Sequence, residues 1–218
     1  MKVAELEARL KVLEKQVRNL QDIEEIKTLQ KAYGYYLEHW MAQEIIDLFS
    51  DSPDVGLTLA AGTYVGKKSI STYFNRLKDP SPEFLHQVMQ LSGIINIAKD
   101  GKTAKGRWYG FGAVSIPSSA GVRQLFMGGI YNGEYVKEDE IWKFKKLRFD
   151  QIYTGTPAEG WVKPERLAKT SPQGALPGLK ADIPRKVNFR YPSGYIVPFH
   201  YKHPVTGKAT SEKKYKEI

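Results

Sequence analysis

The chain has 218 residues, 41% hydrophobic and 26% charged, with no cysteine and a formal net charge of +9. Such a length and apolar fraction suit one substantial core, and the lack of cysteine excludes disulfides, thiolate nucleophiles, zinc–cysteine sites and iron–sulfur clusters. No apolar run is long enough for a membrane span, the charged start MKVAELEARLKVLEKQVRNL does not read as a secretory signal, and a cytoplasmic location is expected.

From the N-terminus, Val3, Leu6, Leu10, Leu13, Val17 and Leu20 recur at alternating steps of three and four, the spacing of a helix with one apolar stripe. The stripe reads either as a short coiled coil or docking helix, or as an amphipathic helix packed on its own domain. The periodicity continues through Ile23, Ile26, Leu29 and Tyr33 to Leu37, breaks near Glu38-His39-Trp40, and resumes over 42–49. Residues 55–60 read as a strand, Ala61-Gly62 as a turn, and 68–77 as a short helix stopped by Asp79-Pro80. Two long strands, near 84–97 and 103–115, flank Lys99-Asp100-Gly101-Lys102, where Asp-Gly predicts a tight two-residue hairpin turn. Ser118-Ser119-Ala120-Gly121 reads as a loop, 124–137 alternates again, and Glu138-Asp139-Glu140 leads into a last strand near 141–153. Helices followed by a curved antiparallel sheet make an α+β plan.

Regular periodicity fades after residue 155, and seven of the twelve prolines fall in 163–218. Residues 187–191 and 195–201 still alternate large apolar groups that are costly to leave in water. The expectation is an extension wrapped over its own domain or a neighbouring subunit, frayed only over 211–218. The chain thus divides into an amphipathic helix (1–21), an α+β domain (22–154) and a basic, proline-rich extension (155–218). That extension holds most of the net charge, with 12 Lys and Arg against 4 Asp and Glu in 163–218, compared with 21 against 20 in 1–162. Nucleic-acid-binding domains gather cations on a folded face, so no nucleic-acid partner is expected.

Few side chains carry chemistry. His86 lies on a strand and reads either as a half-buried histidine satisfied by a carbonyl, or as a general acid or base tuned near working pH. Glu38, at a helix end, is either solvated or orients the histidine and takes up a proton. Tyr33, Tyr36, Leu37 and Trp40 share one helix side; a buried Tyr33 hydroxyl would need a partner and could donate to a substrate oxygen. Strand alternation sets Arg107 and Tyr109 against Trp108, so only one set faces inward, and it places Tyr131 opposite Asn132 and Glu134. His200-x-x-His203 is flanked by prolines and lacks a third ligand, so no metal is expected. No nucleotide-binding or serine-elbow signature occurs, and no cofactor is called for.

Ile23-Glu24-Glu25-Ile26-Lys27-x-Leu29, Tyr33, Leu37-Glu38, Gly62-x-Tyr64-x-Gly66, Thr103-Ala104-Lys105-Gly106-Arg107-Trp108-Tyr109 and Tyr131-x-x-x-Tyr135 with Ile141-Trp142-Lys143 resemble the SnoaL-like branch of the nuclear transport factor 2-like superfamily. The resemblance implies a cone of curved antiparallel sheet closed by N-terminal helices, a cystatin-like α+β barrel with a deep pocket. It also implies a cofactor-independent lyase acting on a hydrophobic aromatic molecule by loss of water or formaldehyde, with a lignin-derived diaryl compound as one substrate. A non-catalytic binding module, or an isomerase or polyketide cyclase, stays open as the alternative. Carried over by position, the catalytic residues are Tyr33, Glu38 and His86; Trp40, Arg107, Trp108, Tyr109 and Tyr131 are expected from their helix and strand faces as substrate contacts. The family's usual aspartate is replaced by Glu38, and a further family aspartate by Gly112. A homo-oligomer is expected, a trimer ahead of a dimer.

Overall fold

The computed structural model describes residues 3–77, 80–118, 121–158, 160, 179–185 and 196–209. Helix α1 (Val3–Glu38) is continuous, on the order of 50 Å long. Its buried residues Asp22, Ile26, Leu29, Gln30, Tyr33 and Leu37 recur every one to four positions and face the sheet, whereas residues 3–17 are exposed on every side. The helix ends in a Schellman motif: the Met41 amide donates to the Tyr36 carbonyl (2.9 Å) and the Trp40 amide to Leu37 (3.1 Å). Trp40 occupies the left-handed position (φ 53°) that usually takes glycine. Helices α2 (Ala42–Asp47) and α3 (Gly66–Phe74) complete the helical side.

Among the described residues seven strands form one sheet: β1 (Gly56–Leu59), β2 (Gly62–Val65), β3 (Leu85–Ile97), β4 (Thr103–Ser118), β5 (Gly121–Glu138), β6 (Ile141–Gly155) and β7 (Ile183–Pro184), in the order β3-β4-β5-β6-β1-β2-β7. Neighbours are antiparallel except β1 and β6. The sheet curves but stays open, with β3 and β7 as edges, so the expected barrel is an unclosed one. Bulges in β3 and β6 bend it. The β6 bulge, at Lys145, also explains a break in alternation, because it lets Phe144 and Leu147 both face the core.

The β3–β4 turn departs from the two-residue geometry expected of Asp-Gly. The β3–β4 connection is a four-residue loop closed by the Ala98 amide on the Thr103 carbonyl (2.8 Å); only Gly101 is left-handed (φ 66°). The Asp100 carboxylate serves instead as an acceptor for the Lys102 and Thr103 amides (2.8 and 3.0 Å). The tight turn with two left-handed residues lies at Asp139-Glu140 (φ 48° and 62°), between paired Glu138 and Ile141. Strand β2 is not anticipated by the sequence reading, which takes Ala61-Gly62 as a turn and assigns no element to 63–67; its second neighbour, β7, lies far away in sequence.

Parts of the C-terminal extension pack on the domain of the same chain. β7 pairs with β2, Val197 is buried, and the Arg185 guanidinium donates to Asp150 Oδ1 (2.5 Å), the Leu59 carbonyl (2.7 Å) and the Phe149 carbonyl (3.1 Å). Residues 187–191, 195 and 211–218, for which alternation or fraying was expected, lie outside the described residues.

One buried polar cluster fixes where α1 joins the domain. The Asp22 carboxylate accepts from Lys137 Nζ (2.5 Å) and Trp142 Nε1 (3.0 Å), with Arg18 Nε 3.4 Å away. Breaking a buried pair leaves the other charge without compensation. Asp22→Ala is therefore expected to lower unfolding free energy by about 3–5 kcal/mol. Asp22→Leu combined with Lys137→Met should recover most of that loss in urea denaturation.

Candidate active site

The cavity, of about 170 Å³, lies between α1 and the concave face of the sheet, with α3 on one side. Tyr33 comes from α1 because it continues the buried stripe of Ile26 and Leu29; Tyr131 comes from the inward register of β5. Their rings meet edge to face at 6.1 Å, and Tyr131 stacks on Phe149 at 4.3 Å. Gly110 of β4 makes room for this stack: a Cβ there would press into both rings. Tyr131 also hydrogen-bonds Gln90, the buried amide of β3.

Trp40, Tyr64 and Tyr73 line the same cavity. The left-handed Trp40 backbone turns its indole inward, where Nε1 donates to the Phe74 carbonyl (2.8 Å) and ties the end of α1 to α3. The Tyr64 hydroxyl is buried without a hydrogen-bond partner among the described residues. Burial holds the phenols of Tyr33, Tyr64, Tyr73 and Tyr131 above their ordinary value. At neutral pH they are therefore uncharged hydrogen-bond donors.

His86 sits between Trp40, edge-on at 5.9 Å, and Phe84, stacked at 6.4 Å. Its Nδ1 is buried with no partner among the described residues. Burial among aromatics pushes the imidazole down to about 4, and the positive charge of Arg76 acts in the same direction. His86 is thus a neutral imidazole across the physiological range.

The structure brings Tyr33, Trp40, His86 and Tyr131 around one cavity. Trp108 faces inward but deeper, donating from Nε1 to the Tyr135 hydroxyl (3.0 Å), which donates to Gln30 Oε1 (2.7 Å). Arg107 and Tyr109 occupy the opposite face: Arg107 binds the Pro198 carbonyl (2.9 Å) and stacks on Phe199, and Tyr109 is 60% exposed. Glu38 ends α1 half-buried and is not among the cavity-lining residues. At Gly112, where the family resemblance placed an aspartate, any Cβ would run into the Gln87 carbonyl oxygen, so no side chain fits.

Sequence reasoning missed Tyr64, Tyr73, Gln90 and Arg76. Tyr64 stood inside a quoted motif, and Tyr73 and Arg76 are three apart on one side of a helix end, a spacing that was available but unread. Among the described residues no group of three His, Asp or Glu side chains could hold a metal ion. His203 instead caps a turn, accepting from the Val205 and Thr206 amides.

A family model for the SnoaL-like domain matches residues 18–148, and the chain belongs to that family. The chain is similar in fold to a candidate scytalone dehydratase of Novosphingobium aromaticivorans, with 18% identity, a TM-score of 0.56, and coverage of 64% of this chain and 90% of that one. It is similar also to a candidate aromatic ring hydroxylase of the same organism (21% identity, TM-score 0.52, coverage 61% and 90%) and to the Kfla4162 protein of Kribbella flavida (13%, 0.52, 63% and 95%). No curated protein matches the chain in sequence. Among the described residues no helix is long and apolar enough to cross a membrane.

The buried imidazole makes stability depend on pH. Unfolded histidine binds its proton near 6.5 and folded His86 only near 4, so on acidification the unfolded state takes up the proton first. His86 therefore costs no stability above about pH 7 and becomes destabilising as pH falls from 6.5 to 4. Relative to His86→Phe, the wild-type chain should lose on the order of 2 kcal/mol over that interval, measured by denaturant titration at each pH.

Proposed function

We propose that this protein is a lyase that carries out acid–base chemistry with its own side chains on a small aromatic substrate. The observation that carries this reading is a neutral His86 in an aromatic cavity that also holds uncharged, donor-competent tyrosines. In an elimination, the imidazole takes a proton from the carbon next to the leaving group and the C–H electrons form the new double bond. The oxygen leaves while accepting a hydrogen bond from Tyr33 or Tyr131, and the His86 proton completes the departing water. Loss of formaldehyde uses the same groups: His86 takes the hydroxyl proton of a hydroxymethyl group, the O–H electrons form the C=O bond as the C–C bond breaks, and the carbon left behind takes the proton back from His86. An imidazole near 4 is a weak base but a strong conjugate acid, which suits a proton that is handed on at once.

Cavity volume limits the substrate. Ligand sites usually span about 300–1,000 Å³, and a cavity of about 150 Å³ accommodates benzene. A volume of about 170 Å³ therefore takes one aromatic ring. A diaryl substrate would leave its second ring outside the mouth.

The test is a panel of single-ring aryl alcohols assayed for alkene absorbance and for released formaldehyde. His86→Ala is expected to lower kcat/KM by about 10²–10⁴, and Tyr33→Phe by about tenfold or more. Turnover unchanged in both variants overturns the reading. With neutral His86 as the base, kcat/KM should rise with pH through about 4 and stay level from pH 6 to 8. A midpoint near 6.5 that vanishes in no His86 variant would assign the base elsewhere.

A further inference from the structure

The mechanism leaves one cation at the site without a task. Arg76, just beyond α3, lays its guanidinium over the Tyr73 ring (3.8 Å) and the Trp40 ring (4.3 Å), both of which line the cavity. Its Nη1 donates to the Tyr73 carbonyl (2.5 Å) and its Nη2 to the Tyr73 hydroxyl (3.2 Å). A guanidinium has five N–H donors, so three are uncommitted in these contacts. Among the described residues no acidic side chain pairs with Arg76, whereas Lys67, Lys137, Lys143, Lys145 and Arg185 each have a carboxylate. Arg76 is itself exposed while its guanidinium lies on two rings that line the cavity, which places it at the mouth.

We propose that Arg76 is an anion subsite at the cavity mouth and that the substrate is a single-ring aromatic acid whose carboxylate pairs there while its ring enters among the tyrosines. Stacking on two rings holds the fork flat and leaves one edge for a bidentate carboxylate, a geometry lysine cannot copy. The subsite also orients the substrate, because the anion outside and the ring inside fix which carbon lies beside His86. This deepens the lyase reading and rests on the same cavity.

The experiment is calorimetric titration of the full chain with trans-cinnamate and with its uncharged amide. The acid is expected to bind on the order of tenfold tighter than the amide. Arg76→Gln should remove that preference, and Arg76→Lys should restore only part of it; circular dichroism confirms that both variants fold. Equal affinity for acid and amide, a preference that survives Arg76→Gln, or no binding of either at millimolar concentration overturns the subsite. Titration of His86→Ala separates the two readings. An acid preference kept there, with catalysis unaffected by the same change, sinks the lyase assignment and leaves the subsite standing.

An independent observation concerns the exposed half of α1. Val3, Leu6, Leu10, Leu13, Val17 and Leu20 are between 47% and 71% exposed and fall at heptad positions a and d. The neighbouring e positions are Glu7, Glu14 and Gln21, and the g positions Arg9 and Gln16. In a parallel pair, g meets e of the next heptad on the partner, so Arg9 faces Glu14 of the second copy and Gln16 faces Gln21. An antiparallel pair would set Glu against Glu. We infer that residues 3–20 form a parallel two-stranded coil with a second copy of this chain, Val at two a positions and Leu at every d position favouring two strands. The run is short, but α1 is already helical into the domain, so the coil carries no separate nucleation cost.

Because the chain has no cysteine, Leu13→Cys and Leu20→Cys offer a clean readout. Mild oxidation should convert each to a covalent dimer on a non-reducing gel. Arg9→Glu and Glu14→Arg should each weaken dimerisation in sedimentation, and the double reversal should restore it. Absence of the cross-link, or indifference to the charge reversals, overturns the coil.

Discussion

Tyr33 and Tyr131 meet edge to face, and that contact sets how far α1 stands off the sheet. Tyr131 cannot drop lower, because it already lies flat on Phe149 above the bare backbone of Gly110. Tyr33 cannot drop lower either, since Phe144 meets it from the other side at 5.8 Å. The helix is thus propped at its C-terminal half and pinned at mid-length, where Asp22 is held by Lys137 and Trp142. The cavity is the space this arrangement leaves beyond Tyr33, toward the end of α1, where Trp40 and α3 close it.

Much of the architecture was legible because it depends on short-range pattern. The 3.6-residue spacing of α1, the break before Trp40 and the alternation of β4 and β5 all follow from side-chain period alone. Turn chemistry was harder to read. Asp100-Gly101 has the favoured sequence of a tight turn, but its aspartate found better use as an acceptor for two amides, while Asp139-Glu140 adopted the left-handed pair with no glycine at all. β2 was missed because four residues flanked by glycines become a strand only when β1 and β7 are beside them. In the site, Tyr33 and His86, expected from the family resemblance, and Trp40 and Tyr131, expected from helical and strand faces, line one cavity. Arg107 and Tyr109 lie on the far face, as alternation requires once Trp108 points inward. Arg76 was passed over because a basic residue at a helix C-terminus already has an ordinary explanation in the helix dipole, and only folding shows it stacked on Trp40 and Tyr73.

Charge is segregated within the molecule. Around the cavity the titratable groups are neutral phenols and a neutral imidazole, with the guanidinium of Arg76 held outside. Buried carboxylates occur elsewhere, each with cations: Asp22 with Lys137 and Arg18, Asp150 with Arg148 and Arg185. The second cluster commits part of the basic extension to the fold, since Arg185 also binds backbone carbonyls of β1 and β6. Some of the positive charge that could be read as a nucleic-acid footprint is therefore structural.

The glycines beneath the cavity set a direction for change. At Gly110 and Gly112 the sheet already presents bare backbone, and any larger residue would meet Tyr131, Phe149 or the Gln87 carbonyl. No substitution at these two glycines deepens the pocket. Room for larger substrates comes instead from trimming side chains that line it, and Leu37 and Phe74 on the helical wall can be cut back without touching the strand register. Specificity in this scaffold is thus freer to drift on the helical wall than at the glycine floor.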